Sequence, residues 1–352
     1  PDQPGELHPP EPFDEPDRRL IVRPVARRVA TLGILGLLGT AVAVAAAAPL
    51  THVDGPAQVS ALAERVAPPA NGQAPVIGGC SIFPPDNAWN MRVDTAPVRA
   101  GSAQTIAKIQ SIGSHNLHPD FGENPTYGIP FTVVPASQPA VPITFLDGGA
   151  DESDPGPYPF PLDAPVEAGS DAHVLVLQQG TCRLFELANA ARQGSGWVGS
   201  WGAVFDLSAN ALRPLGWTSA DAAGLPILPG LVRYAEVAAG HIDHAIRVTF
   251  SQTQRAYILP ATHFASSRTD PTLPPMGLRL RLRADFDIIG LTGQARVIAV
   301  ALQRYGFIVA DNGSNWYFQG APDPGWNDTD LDQLKNVPGT AFEVVDTGPT
   351  HG

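Results

Sequence analysis

The sequence lacks the motifs by which most enzymes are first placed. It contains no GxSxG elbow, no HExxH pair, no Walker loop and no GxGxxG after a strand-like run. Serine esterase chemistry on an α/β sheet, zincin chemistry and dinucleotide binding therefore lose their usual sequence support, and no cofactor is expected. Charge is scarce at 16% of residues, and the balance is acidic at −12. A nucleic-acid partner needs clustered Lys and Arg and is excluded on those grounds. Lysine occurs only at Lys108 and Lys335. Beside abundant Ala, Gly and Pro, that reads as a compositional bias of the coding sequence. Only two cysteines occur, Cys80 and Cys182, and their spacing excludes a CxxC redox or zinc site. In an oxidising compartment they form one bridge, or else they are two separate buried thiols.

What is present is a chain with 43% apolar and 7% aromatic residues, enough for a buried core. Its 35 glycines and 37 prolines interrupt regular structure too often for long helices to dominate. Residues 1–28 read as a polar, disordered tail ending in Arg18, Arg19, Arg23, Arg27 and Arg28, and residues 29–50 form an uncharged apolar run. That order is an export signature, either a cleaved signal peptide or an uncleaved anchor, and it puts the remainder outside the cytoplasm. The membrane is then a partner only through residues 29–50, if uncleaved. Residues 51–79 read as a Pro/Ala/Gly linker, and residues 80–347 as one β-rich domain. Without residues 1–50 the balance is still −11.

Short apolar runs bounded by turn residues predict strands at Phe131–Val134, Val141–Leu146, His173–Gln178, Cys182–Leu187, Gly202–Leu207, His241–Phe250, Ala256–Leu259, Gly277–Arg283, Phe307–Ala310 and Phe342–Val345. Helical spacing appears at Ser102–Ile112 and Thr292–Tyr305, the latter with Val297, Ile298, Ala301 and Leu302 as its buried stripe. Ser219 and Asp221 would cap a short helix cut off by Gly224 and Pro226. The pattern predicts a mainly-β fold, a β-sandwich or jelly roll with a few peripheral helices.

Candidate chemistry is sought where polar groups interrupt apolar strands, because their burial is costly unless they are paired or used. In CRLFELANA, Glu186 shares a face with Leu184; in GAVFDLSAN, Asp206 shares one with Val204. If those faces meet in a cleft, the two acids form the carboxylate pair of a glycosidase, Glu186 as acid and Asp206 as nucleophile or base. In HIDHAIRVTF, alternation puts His244 among Ile242, Ile246, Val248 and Phe250, with Arg247 and Thr249 on the other face. His244 is the third catalytic candidate. His173 and His263 lie at other strand positions, and the three histidines read as a metal set, as a base with its orienting partners, or as unrelated structural residues. A lyase would instead cast His244, Tyr257 and Arg247 around a substrate carboxylate, which the acidic charge disfavours. Trp217, Asp221 and Arg233 lie in GWTSADAAGLPILPGLVRY and, with His173, Arg247 and His263, are the expected substrate-binding residues. Asp151, Glu152 and Asp154 read as a solvated acidic loop rather than a calcium site. Asp311 and Asn312 read as a tight turn, and HPDFG, with His118 and Asp120, as a structural loop.

Taken together, DESDPGPYPFP, GSDAHVLVL, GWTSADAAGLPILPGLVRY, GHIDHAIRVTF, PATHFASS, PPMGLRLRL and YGFIVADNGSNWY resemble a widespread family of secreted bacterial proteins, over roughly Cys80 to Asp346. The resemblance implies export and a single domain and assigns no catalytic residue. The expectation is a secreted carbohydrate-active enzyme, a glycoside hydrolase with a polysaccharide or cell-wall glycan as partner. The alternatives are a non-catalytic glycan-binding module and a histidine-based, metal-dependent hydrolase.

Overall fold

The computed structural model describes residues 74–146 and 148–352. The expected tail, export segment and most of the linker lie outside the described residues. Regular structure starts slightly ahead of the expected boundary, with β1 (Val76–Ile77) pairing β2 (Cys80–Ser81). At the other end, His351 still pairs with Tyr257.

Two larger sheets dominate. The four-stranded one runs in the order β10 (Trp201–Asp206), β7 (Arg183–Ala188), β6 (Val174–Gln178), β4 (Phe131–Val134). It is buried on both faces, which is why its strands read as continuous apolar runs. Leu175, Leu177, Leu184 and Ala203 join the principal core, while Val174, Val176, Phe185 and Leu187 pack with Tyr158, Phe160 and Trp197 in a second cluster. A three-stranded sheet, β5 (Ile143–Phe145), β9 (Gly196–Gly199) and β8 (Ala191–Gln193), contributes Trp197 to that second cluster.

The six-stranded sheet has the order β15 (Phe342–Val345), β12 (Arg279–Leu282), β13 (Phe307–Asn312), β11 (Ile246–Phe250), β14 (Tyr317–Gln319), β3 (His118–Asp120). Around the sheets lie α1 (Ser102–Gln110), α2 (Tyr234–Ala238), α3 (Gly293–Arg304) and α4 (Asp328–Asp332). In α3 the buried side chains are Ala295, Ile298, Ala299, Ala301 and Leu302, close to the expected stripe.

The fold is thus mainly β with peripheral helices. Its sheets are mixed: β11 with β13, β14 with β3, β4 with β6 and β5 with β9 all run parallel. That pairing departs from the all-antiparallel pattern of a jelly roll. Three local expectations fail. Ala256–Leu259 is no strand and contributes only isolated bridges at Tyr257. In HIDHAIRVTF only Ile246–Phe250 is a strand, and the Ser219/Asp221 stretch forms bends and turns, not a capped helix. Ser219 Oγ donates to the Leu225 carbonyl at 2.6 Å and accepts from the Asp221 amide at 2.9 Å, a side-chain competition with helix that Ser favours at turns.

Cys80 and Cys182 are bonded, with Cα atoms 5.4 Å apart and a sequence separation of 102. The bridge fixes β2 to the residue that opens β7. Such a bond is at home in an oxidising compartment. Among the described residues no helix is long and apolar enough to cross a membrane.

Candidate functional site

The expected carboxylate pair does not exist. Glu186 lies opposite Ala203 in the β7–β10 ladder, whereas Asp206 lies opposite Arg183. The odd offset of three residues sends the two acids to opposite faces of the sheet. Glu186 is fully buried and accepts from the Ile227 amide at 3.0 and 2.9 Å and from the Leu228 amide at 3.0 Å. Burial pushes its carboxyl up to about 7, against the pull of the Leu228 and Ile227 amides. It ties the 227–230 turn to the sheet. Asp206 is exposed and accepts from the Ser208 amide at 2.9 Å and hydroxyl at 2.6 Å, closing a turn. Those bonds hold its carboxyl below the ordinary value.

His244 is also corrected. It precedes the strand, is 1% exposed, and its ring nitrogens face the Ala245 carbonyl at 2.7 Å and Glu236 at 3.2 Å. Glu236 in turn accepts from Arg233 at 2.7 Å. Burial raises the Glu236 carboxyl, but Arg233 and His244 outweigh it and bring it down to about 2. Arg233 spends its other donors on the Leu228 and Leu231 carbonyls at 3.1 Å each. His263 bonds the Ala222 carbonyl at 2.8 Å and stacks on Phe264. His173, His244 and His263 thus have separate partners, and among the described residues no three His, Cys, Asp or Glu side chains could hold a metal ion. Trp217 is half-buried beneath the Arg213 guanidinium, 5.6 Å from its ring. Of the acidic loop, Asp154 accepts from Arg213 at 2.5 Å and the Val204 amide at 2.8 Å, and Glu152 accepts from the Thr218 amide at 3.1 Å.

Polar side chains do gather, on the six-stranded sheet. Thr249 pairs with Tyr317, and Tyr317 with His118; one step along, Gln319 pairs with Asp120. The register therefore aligns Arg247, Gln319 and Asp120 in one row across three strands, and Thr249, Tyr317 and His118 in the next, all on one face. Arg247 donates to Gln319 Oε1 at 2.6 Å, and the His118 and Tyr317 rings stack with centroids 4.0 Å apart. An irregularity in the β11–β13 ladder pairs Val248 with Val309 but Thr249 with Asp311, skipping Ala310. This bulge brings Asp311 to the row beside Arg247, an outcome typical of bulges near sites.

Arg247, 3% exposed, is gripped by fully buried Asp221, with Nε to Oδ2 at 3.0 Å and Nη2 to Oδ1 at 2.8 Å. Burial opposes its charge, but Asp221, Asp311 and Glu167 outweigh that cost and hold its pKa above the ordinary value. Gly230 allows the overlying turn to approach: a Cβ there would lie 2.9 Å from Arg247 Cβ and 2.7 Å from the Trp89 ring. Asp221 takes the favourable geometry, leaving Asp311 at 3.9 Å from the same guanidinium. Burial and the Asp221 charge push the Asp311 carboxyl up to about 7, Arg247 only partly offsetting them, with Asp171 adding to the rise. Asp311 nevertheless keeps 23% side-chain exposure.

His173 flanks the cluster. Its Nδ1 lies 2.5 Å from Glu167 Oε2 and its Nε2 3.0 Å from the Ala220 carbonyl. Burial lowers its pKa, yet the Glu167 bond and charge prevail and lift it to about 9. Asp120 is raised by burial, opposed by its hydrogen bond with Gln319 and by His118. His118 is lowered by burial and by Lys335.

No protein-family model, no curated protein and no solved structure matches this chain.

Of the expected substrate-binding residues, His173, Asp221 and Arg247 belong to this cluster, while Arg233, Trp217 and His263 serve other networks. Glu167, Tyr317 and Gln319 are not among the sequence candidates, and Asp311, and His118 with Asp120, read there as turn and loop. The only signal for them was the density of Asp, Asn and His in HPDFG and ADNGSNWYFQG. Chemically, the face offers one partly buried carboxyl that holds its proton near neutrality, a second carboxylate steadied by an amide, a buried cation between them and an aromatic platform.

Proposed function

We propose that this protein is an exported glycoside hydrolase whose active site is the polar face of the six-stranded sheet. In this reading Asp311 is the general acid, Asp120 the carboxylate that activates water, and His118 with Tyr317 the platform on which a sugar ring stacks. Arg247, fixed by Asp221 and Gln319, is a positioning residue that sets the charge around Asp311. The observation that carries the reading is Asp311: a partly exposed carboxyl raised to about 7, on the same face as a second carboxylate. An acid catalyst needs such a pKa to hold its proton where it works.

The strand order separates the two acids by three inter-strand steps, from β13 across β11 and β14 to β3. At about 4.8 Å per step the backbone separation is roughly 14 Å. That span is far wider than a retaining pair of carboxylates needs, which favours inversion over retention of anomeric configuration. The disulfide, which suits an oxidising compartment, supports a substrate outside the cytoplasm.

The test is release of reducing ends from a panel of extracytoplasmic polysaccharides by the full chain. The expected result is release by the wild type and its loss in Asp311→Asn with polysaccharide still retained. Retention by the wild type without release from any glycan would replace the hydrolase reading by that of a binding module.

A further inference from the structure

A second site lies apart from the sheet face, just past the end of β14. A cavity of about 740 Å³ is lined by Phe131, Arg233, Tyr234, Glu236, His241 and Asp243, together with the 74–78 segment and residues 321–323. That volume falls in the range of small-molecule pockets, roughly 300–1,000 Å³.

Its polar wall is already organised. His241 Nδ1 lies 2.8 Å from Asp243 Oδ2, and Asp243 Oδ1 accepts from the Tyr305 hydroxyl at 3.3 Å. Tyr305 is buried, so it anchors Asp243, and Asp243 anchors the imidazole. The second ring nitrogen of His241 has no hydrogen-bond partner among the described residues, and its side chain is 58% exposed. Arg233 and Glu236 form a rigid neutral pair joined to buried His244. Tyr234 is half-buried and held edge-on against Trp326 with centroids 5.3 Å apart, and Phe131 is likewise half-buried.

We infer that this cavity is a binding pocket for an uncharged glycosyl unit. Aromatic and apolar surface suits the C–H face of a sugar ring, while a fixed carboxylate and a free imidazole nitrogen suit its hydroxyls. Charge argues the same way. Arg233 is balanced by Glu236, while Asp243 and Asp323 add acidic groups to the wall, so an anionic ligand would be repelled. The ligand class rests on the glycan reading above, but the pocket does not depend on hydrolysis at Asp311.

The experiment is calorimetric titration of the full chain with uncharged oligosaccharides (cello-, xylo-, manno- and malto-series) and with an oligogalacturonide. Binding of at least one uncharged series is expected, weakened at least tenfold in Tyr234→Ala and in His241→Ala, with no comparable binding of the anionic probe. Because His241 lies at the surface, its variant keeps the test valid should Tyr234→Ala fail to fold. The inference is overturned if no uncharged series binds, if both variants bind like the wild type, or if the anionic probe binds better. Binding lost in these variants but retained in Asp311→Asn, in a protein that releases no reducing ends, would sustain the pocket while removing the hydrolase reading.

Discussion

The four-stranded and six-stranded sheets each carry ionisable residues inside apolar strands, and they treat them in opposite ways. In the four-stranded sheet, Glu186 is satisfied at once by the Ile227 and Leu228 amides, and Asp206 by Ser208. Each acid is satisfied by hydrogen bonds from nearby amides and a hydroxyl. In the six-stranded sheet, register carries Arg247, Gln319 and Asp120 into one row, and a bulge brings Asp311 into the adjacent one. There the charges are over-subscribed: Asp221 and Asp311 compete for one guanidinium, and the loser keeps a high pKa. A buried charge with enough local partners is architecture; a shared partner leaves chemistry to spare.

The contrast can be broken by experiment, beginning with the covalent brace beside the four-stranded sheet. Replacing Cys80 and Cys182 together by Ser releases a closed loop of about a hundred residues and is expected to cost about 4–5 kcal/mol, read as a lower urea midpoint. Arg247→Met leaves Asp221 buried without its cation and should cost about 3–5 kcal/mol. A smaller loss than that of any exposed arginine, such as Arg192, would show that the pair is not the keystone of the face. Asp311→Asn should leave the melting temperature nearly unchanged while lowering the glycan-hydrolysis rate by about 100-fold or more. The wild-type rate should fall as pH rises through about 7, where Asp311 gives up its proton. A flat profile across that window removes Asp311 from the acid role.

Glu186→Gln addresses the quieter sheet. The folded-state pKa is raised from 4.5 to about 7. Between those values the native state holds the proton that the unfolded chain has lost, so stability falls as pH rises, by about 3 kcal/mol at most. Denaturation across pH 4.5–7 should show a shallower decline in the variant and no change in hydrolysis. The smallest effect is expected for Asp206→Ala, under about 0.5 kcal/mol and with no loss of rate, since it ends a surface turn.

Within single strands, alternation was informative. It placed Leu184 with Glu186 on one face, and Arg247 with Thr249 opposite Ile246, Val248 and Phe250, as the ladders have them. It misled at His244, because the period was extended through HIDHA, which is not strand. It also could not pair Glu186 with Asp206, since that depends on an inter-strand offset that no single strand encodes. Gln319 was invisible, and Asp120 read as loop, for a related reason. They sit in strands of three residues, too short to show a period, and matter only through the neighbours that pairing supplies. The mainly-β class, the disulfide as one of two readings, and the two longer helices were legible because each follows from local composition or spacing.

The Cys80–Cys182 link bears on how the protein ages in a protease-rich medium. A single cut at an exposed loop between those positions, for instance near Tyr127 or Val166, would yield two fragments that stay together until the sulfurs are reduced. Nicked molecules would run as one band without reductant and as two with it, and the rows of polar side chains supplied by segments on either side of the cut would remain tethered to one another.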